Sequence, residues 1–162
     1  MPNVAPVNIP LIMKRIVILA ILLLCAATLQ AQGDKFKAFG QKYEKCEGYE
    51  VATVGRTGIR LAAMAGDKES REMMRKIDLL VVVSCHAPED EVLKADFDSL
   101  VDGYTLVNDY QSDGNRAWVY INGKNTAFAM YMSTPKTQQV MLLTGRELDL
   151  HELLPPQMEV VN

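Results

Sequence analysis

The sequence predicts a single α+β domain, a mainly antiparallel sheet with helices packed on one face, behind a cleavable signal peptide. Three observations carry this. Apolar residues recur at helical spacing in Phe36–Cys46 and again in Leu93–Val101. An unbroken apolar run, Leu79–Val83, lies between those two segments. After Tyr104 the texture changes to short strand-like runs separated by Asp113-Gly114 and Asn122-Gly123, the strongest local hairpin signals in the chain. Helices early and strands clustered late are the pattern of a sheet whose helices are segregated from it.

The elements follow in order. Met13-Lys14-Arg15 leads into the uncharged stretch Ile16–Ala27 and ends at Leu29-Gln30-Ala31-Gln32, the basic start, apolar core and small-residue cut site of a secretory signal. The apolar stretch is shorter than the roughly 20 residues a membrane span needs. Met1–Ile12 has no charge and three prolines, so residues 1–31 read as an N-terminal extension and signal peptide, and 32–162 as the domain. Lipid attachment at Cys25 is an alternative, although Leu22-Leu23-Leu24 lacks the small residue that lipoprotein processing uses. Cleavage predicts an exported product in the periplasm or outer cell envelope, with no stable membrane span.

Within the domain, Asp34 is placed to cap a helix whose buried stripe is Phe36, Phe39, Tyr43 and Cys46, stopped by Gly48. Tyr49–Val54 reads as a strand. Thr57 can cap a short helix through Ile59, Ala62 and Ala63, ended by Gly66. The charged run Asp67–Lys76 reads as a solvated loop or helix face. Leu79–Val83 shows no alternation, so it reads as a central strand buried on both faces. Pro88-Glu89-Asp90-Glu91 suits a helix start, with proline in the first turn and acids at the positive end of the dipole. Leu93, Phe97, Leu100 and Val101 form that helix's buried stripe, and Gly103 ends it. Strands at Tyr104–Gln111, Arg116–Ile121, Thr126–Met132 and Gln139–Leu143 then form a meander, and Asp149 with Glu152 starts a terminal helix.

The chain carries a formal net charge of −3. Lys14 and Arg15 are the only charged residues before Gln32, so removing the signal takes the balance to −5. A mildly acidic domain without a clustered basic face is not the footprint of a nucleic-acid binder. Of three cysteines, cleavage removes Cys25. Cys46 and Cys85 could then pair in an oxidising compartment, where closing a loop of roughly 40 residues would stabilise by about 4 kcal/mol. The other reading is two buried thiols acting as small hydrophobes.

Chemistry is sparse. His86, His151 and the neighbouring Cys85 lack the paired spacing that zinc requires, and no metal or cofactor is expected. There is no G-x-S-x-G elbow, and successive strand residues Ser84, Cys85 and His86 point to opposite sides. Gly55-Arg56-Thr57-Gly58 lacks the lysine of a phosphate loop and the third glycine of a dinucleotide fingerprint. What survives is a surface. Taking both hairpins as two-residue turns sets Asp109 against Trp118, and Trp118 against Ala127. One meander face then carries Leu106, Tyr110, Ala117, Val119, Ile121, Phe128, Met130 and Met132 and reads as core. The other carries Asp109, Arg116, Trp118, Tyr120 and Tyr131, the composition of interface anchors; the other reading of that face is that the charged segment or the terminal helix covers Trp118 and makes it ordinary core. The expected role is a non-enzymatic domain that binds an envelope protein or peptide through that face. The alternative is a small-ligand carrier or enzyme with a site between sheet and helices near Cys85 and His86.

With this layout the chain resembles an exported Gram-negative family, domain of unknown function 4252. The resemblance rests on the signal, on Phe36–Tyr43 (FKAFGQKY) leading to Glu47-Gly48-Tyr49-Glu50-Val51, and on Lys76-Ile77-Asp78-Leu79-Leu80. Leu142-Leu143-Thr144-Gly145 and Leu148-Asp149-Leu150 complete it. It spans most of residues 32–162 and implies export, but no activity, cofactor or catalytic residue.

Overall fold

The computed structural model describes residues 30–87 and 91–153. The expected signal, Cys25 and Pro88-Glu89-Asp90 lie outside them. The domain is α+β. Helix α1 occupies residues 30–44, followed by β1 (Tyr49–Gly55), α2 (Arg56–Met64), α3 (Lys68–Lys76), β2 (Ile77–Cys85) and α4 (Glu91–Leu100). The meander β3 (Thr105–Ser112), β4 (Asn115–Ile121), β5 (Ala127–Ser133) and β6 (Gln138–Gly145) ends at a single turn of helix, α5 (Leu150–Leu153). All strands are antiparallel, in the order β1-β2-β6-β5-β4-β3.

Two apolar layers sandwich this sheet. On one side Phe36, Phe39 and Tyr43 of α1 and Leu93 and Phe97 of α4, with Val101 just beyond its end, pack on Leu79, Val81, Val83, Ala127, Ala129, Tyr131, Val140 and Leu142. On the other, Ile59 of α2, Met74 of α3, and Leu148 and Leu153 from the C-terminal segment meet Val119, Phe128, Met130 and Leu143. The two long helices share a face as expected, but α2 and α3 lie on the opposite one. The reason is β5, whose Ala127–Tyr131 is buried at every position and so needs cover on both sides.

That changes the reading of β2. It is hydrogen-bonded on both edges, yet it alternates: Leu79, Val81 and Val83 are buried and Leu80 and Val82 only half-buried. The strand buried on both faces is β5, where alanines leave room for the helices.

Local capping departs from expectation in the first two helices of the domain, and of the two readings of the charged run the helix holds. Helix α1 already runs at residue 30, so Asp34 lies inside it, and Cys46 lies past its end and is exposed. Gly55, not Thr57, is the N-cap of α2, with no side-chain cap bond. The charged run is a helix, α3, capped by Asp67, whose Oδ1 accepts from the Ser70 N–H at 2.7 Å. Close approach explains one glycine: a Cβ on Gly40 would stand 2.9 Å from Val81 Cγ1, so only glycine lets α1 lie this near β2.

The β3–β4 turn is as expected. Ser112 pairs with Asn115 and Asp109 with Trp118, and Asp113 (φ 50°) and Gly114 (φ 80°) supply the two positive φ angles of a type I′ turn. The next connection is longer than two residues. Asn122 Oδ1 accepts from the N–H groups of Thr126 and Ala127 at 2.8 and 3.0 Å, building a longer connection in which Ile121 pairs with Phe128 and Trp118 with Tyr131. The expected Trp118–Ala127 pairing is therefore wrong by four positions. Four is even, so Trp118, Tyr120, Ala127 and Tyr131 still share a face.

Helices α1 and α4 are tied together above that face. Asp96 of α4 accepts from Lys42 Nζ and Tyr43 Oη of α1. Burial pushes its carboxyl up, but those two hydrogen bonds outweigh it and hold the pKa below the ordinary 3.8. A depressed folded-state pKa contributes stability above the unfolded value that is lost as pH falls through the folded one. Asp96→Asn is therefore expected to be less stable than the parent at neutral pH and to lose less of its remaining stability between about pH 4 and pH 2. Urea melts across that range check this, and parallel profiles for the two proteins would refute it.

Candidate functional site

The face expected to carry an exposed aromatic patch is instead the floor of the larger core. Tyr131 is 3% exposed and lies under α4, with its ring centroid 5.5 Å from that of Phe97. Tyr120 is half-buried, edge-on to Phe97 at 5.7 Å. Burial, then the nearby carboxylates of Asp98 and Asp109, raise its phenol pKa. The physical cause is the Leu93–Phe97–Val101 stripe, which needs an apolar floor and finds one in the aromatic and alanine side of β4 and β5. Asp109 remains exposed on the edge strand β3.

At the N-terminal end of α4 this cover is incomplete. An open groove of about 940 Å³ runs between α4 and the β3–β4 and β5–β6 turns. Its inner wall is Trp118, half-buried, with its ring 5.6 Å from Tyr131. Arg116 lies two residues before Trp118 on the same strand face, exposed. From α4 comes Lys94, held by Asp98 one helical turn on, with Nζ 5.1 Å from the Trp118 ring and 5.6 Å from the Tyr131 ring. A cation at this range strengthens a partly desolvated aromatic wall and fixes the lysine. So Trp118, Arg116 and Tyr131 do come together, though in a groove rather than on a flat sheet, and Tyr120 and Asp109 are outside it.

Gln138, the first residue of β6, also lines the groove. It is 3% exposed, and its Oε1 is buried without a hydrogen-bond partner among the described residues. Leaving a buried acceptor unpaired costs about 1–3 kcal/mol. An amide kept at that cost beside an open groove is placed to accept from an incoming N–H or O–H group. Neither periodicity nor motif singles Gln138 out.

The alternative location does not assemble. Cys85 is buried in the larger core while His86 is exposed, with Nε2 3.7 Å from Glu50 Oε1, and neither lines this groove. Cys46 and Cys85 are not joined in a disulfide: one is exposed after α1, the other is 5% exposed at the end of β2. Among the described residues no group of three or more His, Cys, Asp or Glu side chains could hold a metal ion, and no helix is long and apolar enough to cross a membrane.

Comparison with protein-family models, with curated proteins and with solved structures finds no match.

Proposed function

We propose that this is an exported cell-envelope domain that binds, without transforming it, an extended segment of peptide or protein in the groove between α4 and the β4–β5 hairpin. The observation that carries the reading is the unpartnered Gln138 Oε1 in the lining of the same groove as the half-buried Trp118. A peptide supplies what both lack, a backbone N–H for the acceptor and an apolar side chain or proline ring for the indole. Lys94, Arg116, Glu91 and Asp98 around the groove present both signs of charge, as peptide ligands do. Export is supported by Lys14-Arg15, the apolar stretch after it and the Ala31-Gln32 junction.

Panning a random peptide library against the protein tests this. Selected peptides are expected to lose about 2 kcal/mol or more of affinity on Trp118→Ala. Gln138→Leu is expected to weaken binding while leaving the melting temperature unchanged or higher, since it removes a buried unpaired acceptor. Calorimetric titration and thermal melts read both effects. Peptides that bind wild type and Trp118→Ala equally would move the site away from this groove.

A further inference from the structure

Helices α2 and α3 form a second surface, on the opposite side of the sheet from the groove. Arg60 and Met64 follow one another one turn apart on α2, and Arg71 and Arg75 do the same on α3. Together with Ala63 these four side chains line a concavity of about 430 Å³. All three arginines are exposed, and none is in an ion pair with a carboxylate among the described residues. By contrast Arg56 and Arg146 both engage Asp78. The chain as a whole is acidic, so three guanidiniums outside any ion pair around one hollow are a local reversal of sign, although Arg71 Nε donates to the Asp67 backbone carbonyl at 3.2 Å and feels the Asp67 carboxylate nearby. Guanidinium forks match phosphate oxygens in a bidentate way and are less strongly hydrated than ammonium groups.

Beside this hollow lie, on the same helix, the two most solvent-facing large apolar side chains among the described residues, Met64 at 75% and Leu61 at 65%. A free phosphate ion has no use for them. A lipid surface does, because apolar side chains can enter the acyl boundary while the arginines stay at the level of the headgroups.

We propose that the α2–α3 surface docks onto an anionic phospholipid membrane, with Arg60, Arg71 and Arg75 on the lipid phosphates and Leu61 and Met64 dipping below them. Complementary charge selects this occupant, and the exposed apolar pair separates a lipid source from a soluble phosphate. Docked in this way, the protein holds the Trp118 groove on the side of the sheet facing away from the bilayer. The proposal does not depend on what the groove binds.

Vesicle flotation of the full chain tests it, comparing vesicles of phosphatidylglycerol mixed with phosphatidylcholine against phosphatidylcholine alone. Every variant carries the same apolar N-terminal stretch, so neutral vesicles report partitioning through that stretch. The parent is expected to prefer the anionic vesicles. The triple variant Arg60→Gln, Arg71→Gln, Arg75→Gln should lose about a hundred-fold in that affinity, on the basis of each arginine's contribution near an anionic surface. Leu61→Ser with Met64→Ser should weaken vesicle binding too. All five substituted side chains are exposed, and unchanged melting curves confirm an intact fold. Equal binding to the two kinds of vesicle, or selectivity retained by the triple variant, would overturn the proposal. Calorimetric binding of inorganic phosphate without any preference for anionic vesicles would also overturn it, in favour of a soluble anion.

Discussion

Val81→Asp is expected to leave no cooperatively folded protein at room temperature. Val81 is fully buried in an interior strand, paired to Thr53 on one side and Leu142 on the other, and Gly40 of α1 lies against its side chain. A carboxylate there has no partner and no path to water, and the cost of about 4 kcal/mol or more lies in the extreme tail of single substitutions. Against a total stability of roughly 5–15 kcal/mol for a domain, such a loss takes most or all of the margin. Val82, one residue on, is half-buried and faces the other layer, so Val82→Asp can turn its charge toward solvent and should cost about 1–2 kcal/mol. Circular-dichroism melts of the two variants side by side give the test. Similar losses from both would mean that β2 does not alternate.

Phe97→Ala should be the next most damaging change, at about 3–5 kcal/mol. The Phe97 side chain is fully buried and packs on both Tyr120 and Tyr131, so it is the contact through which α4 rests on the sheet. Its removal should also impair the groove, because Lys94 sits one turn earlier on the same helix, over Trp118. Stability and peptide affinity are therefore expected to fall together in Phe97→Ala, whereas Trp118→Ala mainly loses affinity. Denaturant titration and calorimetry on the same samples separate the two patterns. Peptide affinity unchanged in Phe97→Ala would show that the groove does not depend on how α4 is seated.

How far the sequence exposes this arrangement depends on the kind of interaction involved. The β3–β4 turn and the pairs beside it are legible to the residue because two consecutive positive φ angles suit Asp-Gly well. Asn122-Gly123 carries a similar signal, but there the asparagine side chain binds backbone N–H groups four and five residues ahead and stretches the loop. The face assignment of β4 and β5 survived because side-chain direction depends only on whether a register error is odd or even, whereas a bulge between Leu106 and Asn108 sets Leu106, expected among the core residues, opposite Tyr120 and leaves it exposed. Which face holds the larger core was not legible, since β5 is apolar on both sides and only its alanines hint at a helix pressed against it. The mixed aromatic and polar composition of the Trp118 face suggested exposure, whereas α4 covers most of it. Gln138 is invisible from the sequence because its distinguishing property is the absence of a partner.

The sheet is joined across its middle by the pairing of β2 with β6, in which Val81 meets Leu142. These partners lie roughly 60 positions apart, while each neighbouring pair in the meander is linked by one short connection. Closing a long loop carries an entropic cost that hairpins largely avoid, so distant pairings tend to form after local ones. The C-terminal meander can thus organise first, and β1, α2, α3 and β2 join it as a unit when β2 zips onto β6. For a chain that emerges N-terminus first, the segment made earliest waits for the one made last. Until then β2 and β6 each present an unpaired apolar edge to whatever else is nearby.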